Sequence, residues 1–380
     1  MVVMVSNLTA SERRLITLVL LLTLLAALTH YLNGVSELIA FLFAGLALAG
    51  MAWVVSLATE QLGGHFGPAV TGMMQAVVGN VPEFFVVLFA LQDHDLIVAQ
   101  MALLGSILVN ALLILGLVLM SGASRARDGV MRFSPQLPKD TATLLLSASF
   151  MIVLLGIANS GHSHSSHHTE LISVVGAIVM IAVYGLWVRG YLKSEGGAGE
   201  GRAGEISPSQ AADLPVHGAP LPDEDRPHLP IKTCVILLLA AGLGAAFASD
   251  WFVDALEPSI HSLHLSQAFA GLVIVAIAGN AVEHVVGIYL AWRGRSDLAI
   301  AVVQNSVAQI AAFLYPLMVI VSLFTATRLN FVIDPVDMAA LAGTGILIWQ
   351  ITGDGEATLF EGAALVALFV VLATVAFYQH

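Results

Sequence analysis

Apolar runs of about twenty residues recur along this chain from end to end, and their length constrains the fold more than any other feature. A helix rises about 1.5 Å per residue, so about 20 apolar residues cross a hydrocarbon layer about 30 Å thick. Composition agrees: 58% of the 380 residues are hydrophobic and 11% are charged, where a soluble domain carries about 25% charged residues. The sequence therefore predicts an all-α polytopic membrane protein and excludes a soluble nucleic-acid-binding module. The formal net charge of −12 belongs to loops and buried sites. The single cysteine, Cys234, rules out an intrachain disulfide and falls inside a predicted span, where packing accounts for it. The first run, Leu15 to Leu28, comes after Arg13 and Arg14. Bulky residues continue after it in "ALTHYLNG", so it reads as a retained span and not a cleaved leader.

Eleven spans are predicted, at about 14–33, 36–58, 68–92, 96–121, 141–160, 170–191, 232–255, 266–292, 298–325, 336–352 and 358–379. Basic residues gather on the cytoplasmic side of membrane proteins. With the N-terminus inside, Arg13, Arg14, Arg125, Arg127, Arg132, Lys139, Arg189, Lys193, Arg202, Arg226, Lys232, Arg293 and Arg295 all fall on that side, and only Arg328 falls outside. The prediction is N-terminus in, C-terminus out. The loop at 193–230 is rich in Gly, Ala, Pro and acid, including Asp223, Glu224 and Asp225, and reads as a linker.

One phrase occurs twice. "GNVPE" occupies 79–83 and "GNAVE" occupies 279–283. The same 200-residue offset relates Ala76 to Ala276, Val86 to Val286, Ala99 to Ala299 and Ser106 to Ser306. The texture of the next spans also matches, which points to an internal duplication. The first motif lies on the third span and the second on the eighth. Five crossings separate them, so the copies run in opposite directions. Inverted repeats of this kind are used by many secondary transporters, with the ion site near the bilayer midplane.

Burial dictates the chemistry. A charged residue at the centre of a membrane helix costs about 2.5–3.5 kcal/mol on insertion scales. Two facing carboxylates, Glu83 and Glu283, relieve that cost by binding protons or by sharing a cation, and the two options compete for the same oxygens. Asn80 and Asn280 lie three residues earlier, on the same helical face, and offer amide oxygens. Gly79, Gly279 and Pro82 weaken the helix where backbone carbonyls could coordinate. Gln100, Ser106, Asn110, Ser306 and Gln309 add oxygens on adjacent spans. Calcium takes 6–8 hard oxygen ligands. With no cysteine in the motifs and His284 the one nitrogen donor, the set favours a hard cation over zinc or copper.

At these motifs the sequence resembles the calcium/proton antiporters, the cation/proton exchanger branch of the cation/calcium exchanger superfamily. The resemblance runs through "ATEQLGGHFGPAVTGMMQAVVGNVPEFFVVLFAL", "AQMALLGSILVNALLILG", the stretch from "SDWFVDAL" to "QNSVAQIAAFLYP", and "GDGEATLFEGAALVALF", covering most of spans two to eleven. It implies two inverted five-helix repeats, at 35–192 and 231–380, joined by the cytosolic acidic linker 193–230 and preceded by an extra N-terminal helix at 1–34. It also implies that Glu83 and Glu283 ligate the ion, with backbone carbonyls near Gly79 and Gly279, and that the first two helices of the repeats move in gating. Glu60 matches a family carboxylate at the cytosolic entrance. Asp250 stands where the family usually has Glu. Pro82 and Asn305 depart from the family pattern, Asn305 taking the place of a glycine.

The expected function is secondary active antiport, exporting cytosolic Ca2+ in exchange for H+ by alternating access. The alternatives are Na+(K+)/H+ or Mn2+/H+ exchange on the same scaffold, or a metal sensor using the loop that holds His162, His164, His167 and His168. No nucleophile with a base and no metal triad stands out, so the chain does not read as an enzyme, and no cofactor is expected. The partners are Ca2+, H+ and the lipid bilayer, with no nucleic acid; self-association into a homo-oligomer is left open. The short termini point to a bacterial or archaeal cytoplasmic membrane. His284 is about 100° round the helix from Glu283, leaving it to bond another helix or to assist proton movement. Asp297 reads as a helix cap or mouth charge, and Asp254 and Glu257 as outer-mouth acids.

Overall fold

A computed structural model describes residues 8–32, 34–63, 65, 80–161, 167–198 and 229–379. The chain begins with α1 (Ala10–Tyr31), closed by a capping box in which the Thr9 side chain accepts the Glu12 N–H and the Glu12 carboxylate accepts that of Thr9. Next come α2 (Glu37–Gly63), the short α3 (Val81–Gln92) and the long α4 (Leu96–Arg125). A strand, β1 (Val130–Arg132), precedes α5 (Gln136–Ser160), α6 (Thr169–Ala198) and α7 (Ile231–Leu263). The second half continues with α8 (Gln267–Gly279), α9 (Ala281–Trp292), α10 (Ser296–Phe324), α11 (Pro335–Thr352), β2 (Glu356–Thr358) and α12 (Leu359–Tyr378). Proline opens α11 behind an Asp334 side-chain cap, and Thr358 with Glu361 repeats the capping box at α12.

Among the described residues, eight helices are long and apolar enough to cross a membrane, or nine if α8 and α9 count as one span. The predicted span 68–92 is described only from residue 80. The predicted span 266–292 is divided at Asn280. α6 extends to Ala198, into the predicted linker; Asp223, Glu224 and Asp225 lie outside the described residues.

α4 is the centre of the bundle. Of its most apolar stretch 83% is buried by protein, against 11% for α1, so α1 is a peripheral helix facing lipid. Small residues let helices approach where no hydrophobic drive separates protein from lipid. Gly105 on α4 sits directly against the Leu272 backbone of α8, and Gly116 sits against the Gly362 carbonyl of α12. α2 packs on α7, α5 on α11, and α9 on α10.

The two ends of the bundle differ in charge. At one end β1 pairs antiparallel with β2, Arg132 opposite Glu356, and the Ser134 N–H donates to Asp297 Oδ1 at 2.7 Å. Arg295, not Asp297, occupies the cap position of α10; Asp297 instead ties α10 to the end of β1. Arg132 bridges Asp128 and Glu356, and Arg125 lies over the Trp292 ring. This is the basic end. At the acidic end His30 meets Asp254 at 3.8 Å, His94 meets Thr327 at 3.1 Å, and Arg328 meets Glu170 at 3.8 Å.

Candidate functional site

Each motif leaves the helical backbone region at its asparagine, which stands at the cap position of the helix that follows; at Asn280 a helix also ends. Asn80 has φ −92°, ψ 16° and Asn280 has φ −112°, ψ 14°. Neither side chain caps the helix it precedes, so both amides are free to reach sideways. The two caps lead into matching structure, 200 residues apart. α3 and α9 are both 12 residues long. Each ends in a left-handed turn, at His94 (φ 69°) and Gly294 (φ 76°). In each turn the next residue closes the loop, Asp95 N–H to Ala90 O at 2.8 Å and Arg295 N–H to Leu290 O at 2.9 Å. α4 and α10 then begin, and each widens into a π segment, Val109–Ile114 and Ile310–Leu314. Such segments are rare and concentrate at functional sites.

The motif side chains converge between these two caps. Glu83 is 1% exposed. Ser106 hydrogen bonds Glu83, and its counterpart Ser306 hydrogen bonds Glu283. Asn280 crosses between the halves: its Nδ2 lies 2.9 Å from Glu83 Oε1, 3.1 Å from Ser106 Oγ and 3.2 Å from the Ala276 carbonyl. Asn110 Nδ2 donates to the Ser106 carbonyl at 2.9 Å and to Ser306 Oγ at 3.4 Å. Asn80 Nδ2 donates to Gln309 Oε1 at 3.2 Å. Gly279 packs beside the Glu83 side chain, where a Cβ would stand 3.6 Å from Glu83 Cγ, at ordinary contact distance. Ser249 of α7 donates to the Pro82 carbonyl at 3.3 Å.

Four oxygens are left over. Glu83 Oε2, Glu283 Oε2, Asn80 Oδ1 and Asn110 Oδ1 are buried without a hydrogen-bond partner among the described residues. Buried polar atoms are rarely left so. Two of the four belong to carboxylates, and all are hard acceptors that suit protons or an oxygen-loving cation. No group of three His, Cys, Asp or Glu is gathered among the described residues, so amide and hydroxyl oxygens are the donors that accompany the two carboxylates.

The other predicted residues lie elsewhere. Gln100 donates to the Asn330 and Val332 carbonyls, towards the acidic end. Asp250 faces that end as well, near enough to Asp93 to act on its ionisation. His284 is buried with Nε2 unpartnered. Gly79, the Glu60 side chain, His162 and His164 lie outside the described residues, and His167 and His168 are exposed. Gln304 was missed. It is fully buried with neither amide atom partnered, and "QNSVAQ" displays it, but its offset partner is the apolar Leu104. At the acidic end, partial burial and then Asp254, Asp250, Asp95 and Glu257 push the Asp93 carboxyl up. Burial and then Glu257 push Asp95 up.

A sequence model of the sodium/calcium exchanger protein family matches residues 36–191 and 233–378. The chain belongs to the sodium/calcium exchanger protein family. Among relatives of this exchanger chain, a Ca(2+)/H(+) antiporter of Aphanothece halophytica is 28% identical over 357 residues, covering 94% of each chain. A Ca(2+)/H(+) antiporter of Synechocystis sp. is 28% identical over 379 residues, covering 98% of this chain and 99% of its own. The solved structure of native YfkE superimposes with a TM-score of 0.74 at 25% identity, covering 96% of this chain and 98% of that one.

Proposed function

We propose that this chain is a secondary active antiporter that exports Ca2+ in exchange for H+. One observation carries the mechanism: two carboxylates in the first turns of matching helices, each hydrogen bonded to its own serine and Glu83 also to Asn280 of the other half, are left with bare acceptor oxygens. The full-length likeness to Ca(2+)/H(+) antiporters supplies the ion pair. Glu83 and Glu283 bind Ca2+ together with Asn80, Asn280 and backbone oxygens near Gly79 and Gly279, or they bind protons. The two states exclude each other, because ligand and proton need the same lone pairs. Ser106, Asn110, Ser306 and Gln309 hold these groups in place, and Glu60 and Asp250 serve the two entrances.

On this reading the chain crosses the membrane eleven times, as α1 plus two inverted five-helix repeats. The 200-residue recurrence of asparagine caps, turns and π segments supports the duplication. The basic end is cytoplasmic, in keeping with the positive-inside rule, which leaves the C-terminus outside. The test uses inverted membrane vesicles with an imposed proton gradient. Radiolabelled Ca2+ enters with the wild-type protein, and Glu83→Gln abolishes that uptake. Undiminished uptake by Glu83→Gln removes the proposed site.

A further inference from the structure

One carboxylate in the bundle has no part in this site. Asp337 is the one buried aspartate among the described residues, 1% exposed, and its Oδ1 has no hydrogen-bond partner. It lies in the first turn of α11. Gly156, near the end of α5, packs against its neighbour Met338, which sets Asp337 at the acidic end of the bundle.

The polar groups around it are already engaged. Residues 328–334 form a strap that leads into α11. Gln100 Nε2 donates to the strap carbonyls of Asn330 and Val332, and Tyr315 Oη donates to Asn330 O at 3.1 Å. The Phe331 N–H donates to Ser173 Oγ, and the Val332 N–H donates to Asn330 Oδ1. Charged and titratable groups on the packed elements are few. Tyr315 of α10 and Asp334 of the helix cap are the ones that interact with Asp337. α5 carries only Lys139 and Asp140, in its first turn, α4 only Arg125 at its last residue, and β2 only Glu356. All four are at the basic end, where β1 pairs with β2.

The strap's own cation, Arg328, is exposed and turned to the Leu323 carbonyl and Glu170, so among the described residues no cation sits against an ionised Asp337. A buried unpaired carboxylate is among the costliest groups a protein can hold, and it takes a proton when one is available. The strap connects it to the exchange site. Gln100, which holds the strap, lies six residues before Ser106, which holds Glu83; that is about 9 Å along α4 at 1.5 Å per residue. We propose that Asp337 is a second proton-carrying group of the exchanger, loaded from the acidic end, separate from the Glu83–Glu283 pair. Its carboxylate takes one H+ from water on that side and returns it later in the cycle, with no other bond made or broken.

This inference rests on the Ca2+/H+ reading, and the experiment separates the two. Purified protein is reconstituted in proteoliposomes, and the H+/Ca2+ ratio is read from the gradient at which net Ca2+ flux reverses. Asp337→Asn keeps shape and hydrogen bonding but cannot take a proton. It is expected to exchange Ca2+ with one H+ fewer per Ca2+ and with a flattened dependence on pH at the acidic end, while Asp337→Glu keeps the wild-type ratio. An Asp337→Asn protein with wild-type ratio and pH profile overturns the proposal. Should that variant fail to fold, the wild-type protein with isotope-labelled aspartate decides by infrared difference spectroscopy between acid and alkaline pH. A labelled carboxyl band in the apolar range that appears on acidification supports the proposal, and its absence overturns it. Absence of Ca2+/H+ exchange by the wild type would instead overturn the proposed function.

Discussion

Gly105→Ala is a small change with a consequence that can be worked out in ångströms. A Cβ at 105 would stand 2.5 Å from Leu272 Cα and 2.7 Å from Leu272 C. Ordinary carbon–carbon contact begins at about 3.5 Å, so α4 and α8 must part by about 1 Å. The obstacle is backbone, and it cannot rotate aside. Ser106 is the next residue, and its Oγ lies 3.1 Å from Asn280 Nδ2 at the end of α8. An added 1 Å takes that contact to about 4 Å, beyond hydrogen-bonding range. Overpacking costs about 1–3 kcal/mol, and a lost hydrogen bond adds about 1 kcal/mol. The expected result is a lowered melting temperature in detergent together with reduced Ca2+ uptake in vesicles. Gly185→Ala on α6 is the control, since a Cβ there meets nothing within 4 Å and alanine favours helix. If Gly105→Ala melts and transports like Gly185→Ala, the close α4–α8 contact does not hold the site together and the reasoning fails.

The acidic end and the donor set each give a further expected outcome. The Asp93 carboxyl is held up by burial first and by Asp254 next. Asp254→Asn removes a negative neighbour, so ionisation of Asp93 becomes easier and its titration midpoint moves down, measurable by NMR of labelled aspartate in detergent; an upward move contradicts the assigned cause. The oxygen-only donors at the glutamate pair favour calcium, so radiolabelled Ca2+ uptake should be competed by unlabelled Ca2+ and left unchanged by equal concentrations of Na+ or K+. Equal competition by K+ would turn the reading towards a monovalent exchanger.

The parts of the site that were legible in the sequence are those fixed by local chemistry. A glycine, an amide and a carboxylate within five positions of an apolar run mark a break wherever they occur, and the 200-residue offset pairs Glu83 with Glu283 and Ser106 with Ser306 without any knowledge of packing. The π segments were not legible, because the spacing of apolar residues does not mark them. In the first of them the Asn110 side chain donates to the Ser106 carbonyl four residues back, and the Val109 N–H shares that same carbonyl. Nor was Asp337 legible. "DPVDMAAL" reads as an ordinary helix start, with acids where the dipole welcomes them, and only the strap, closed by Gln100, Tyr315 and Ser173 from three other helices, takes that carboxylate out of water.

The two halves that carry the motifs are not equal. Gly105 lets α4 lie against the backbone of α8, whereas its counterpart on α10 is Asn305, half-buried and too large for such an approach. Glu83 has Ser106 and Asn280 on it, whereas Glu283 has Ser306 and is less completely covered. The two glutamates are therefore twins in sequence but unequal in their hydrogen-bond partners.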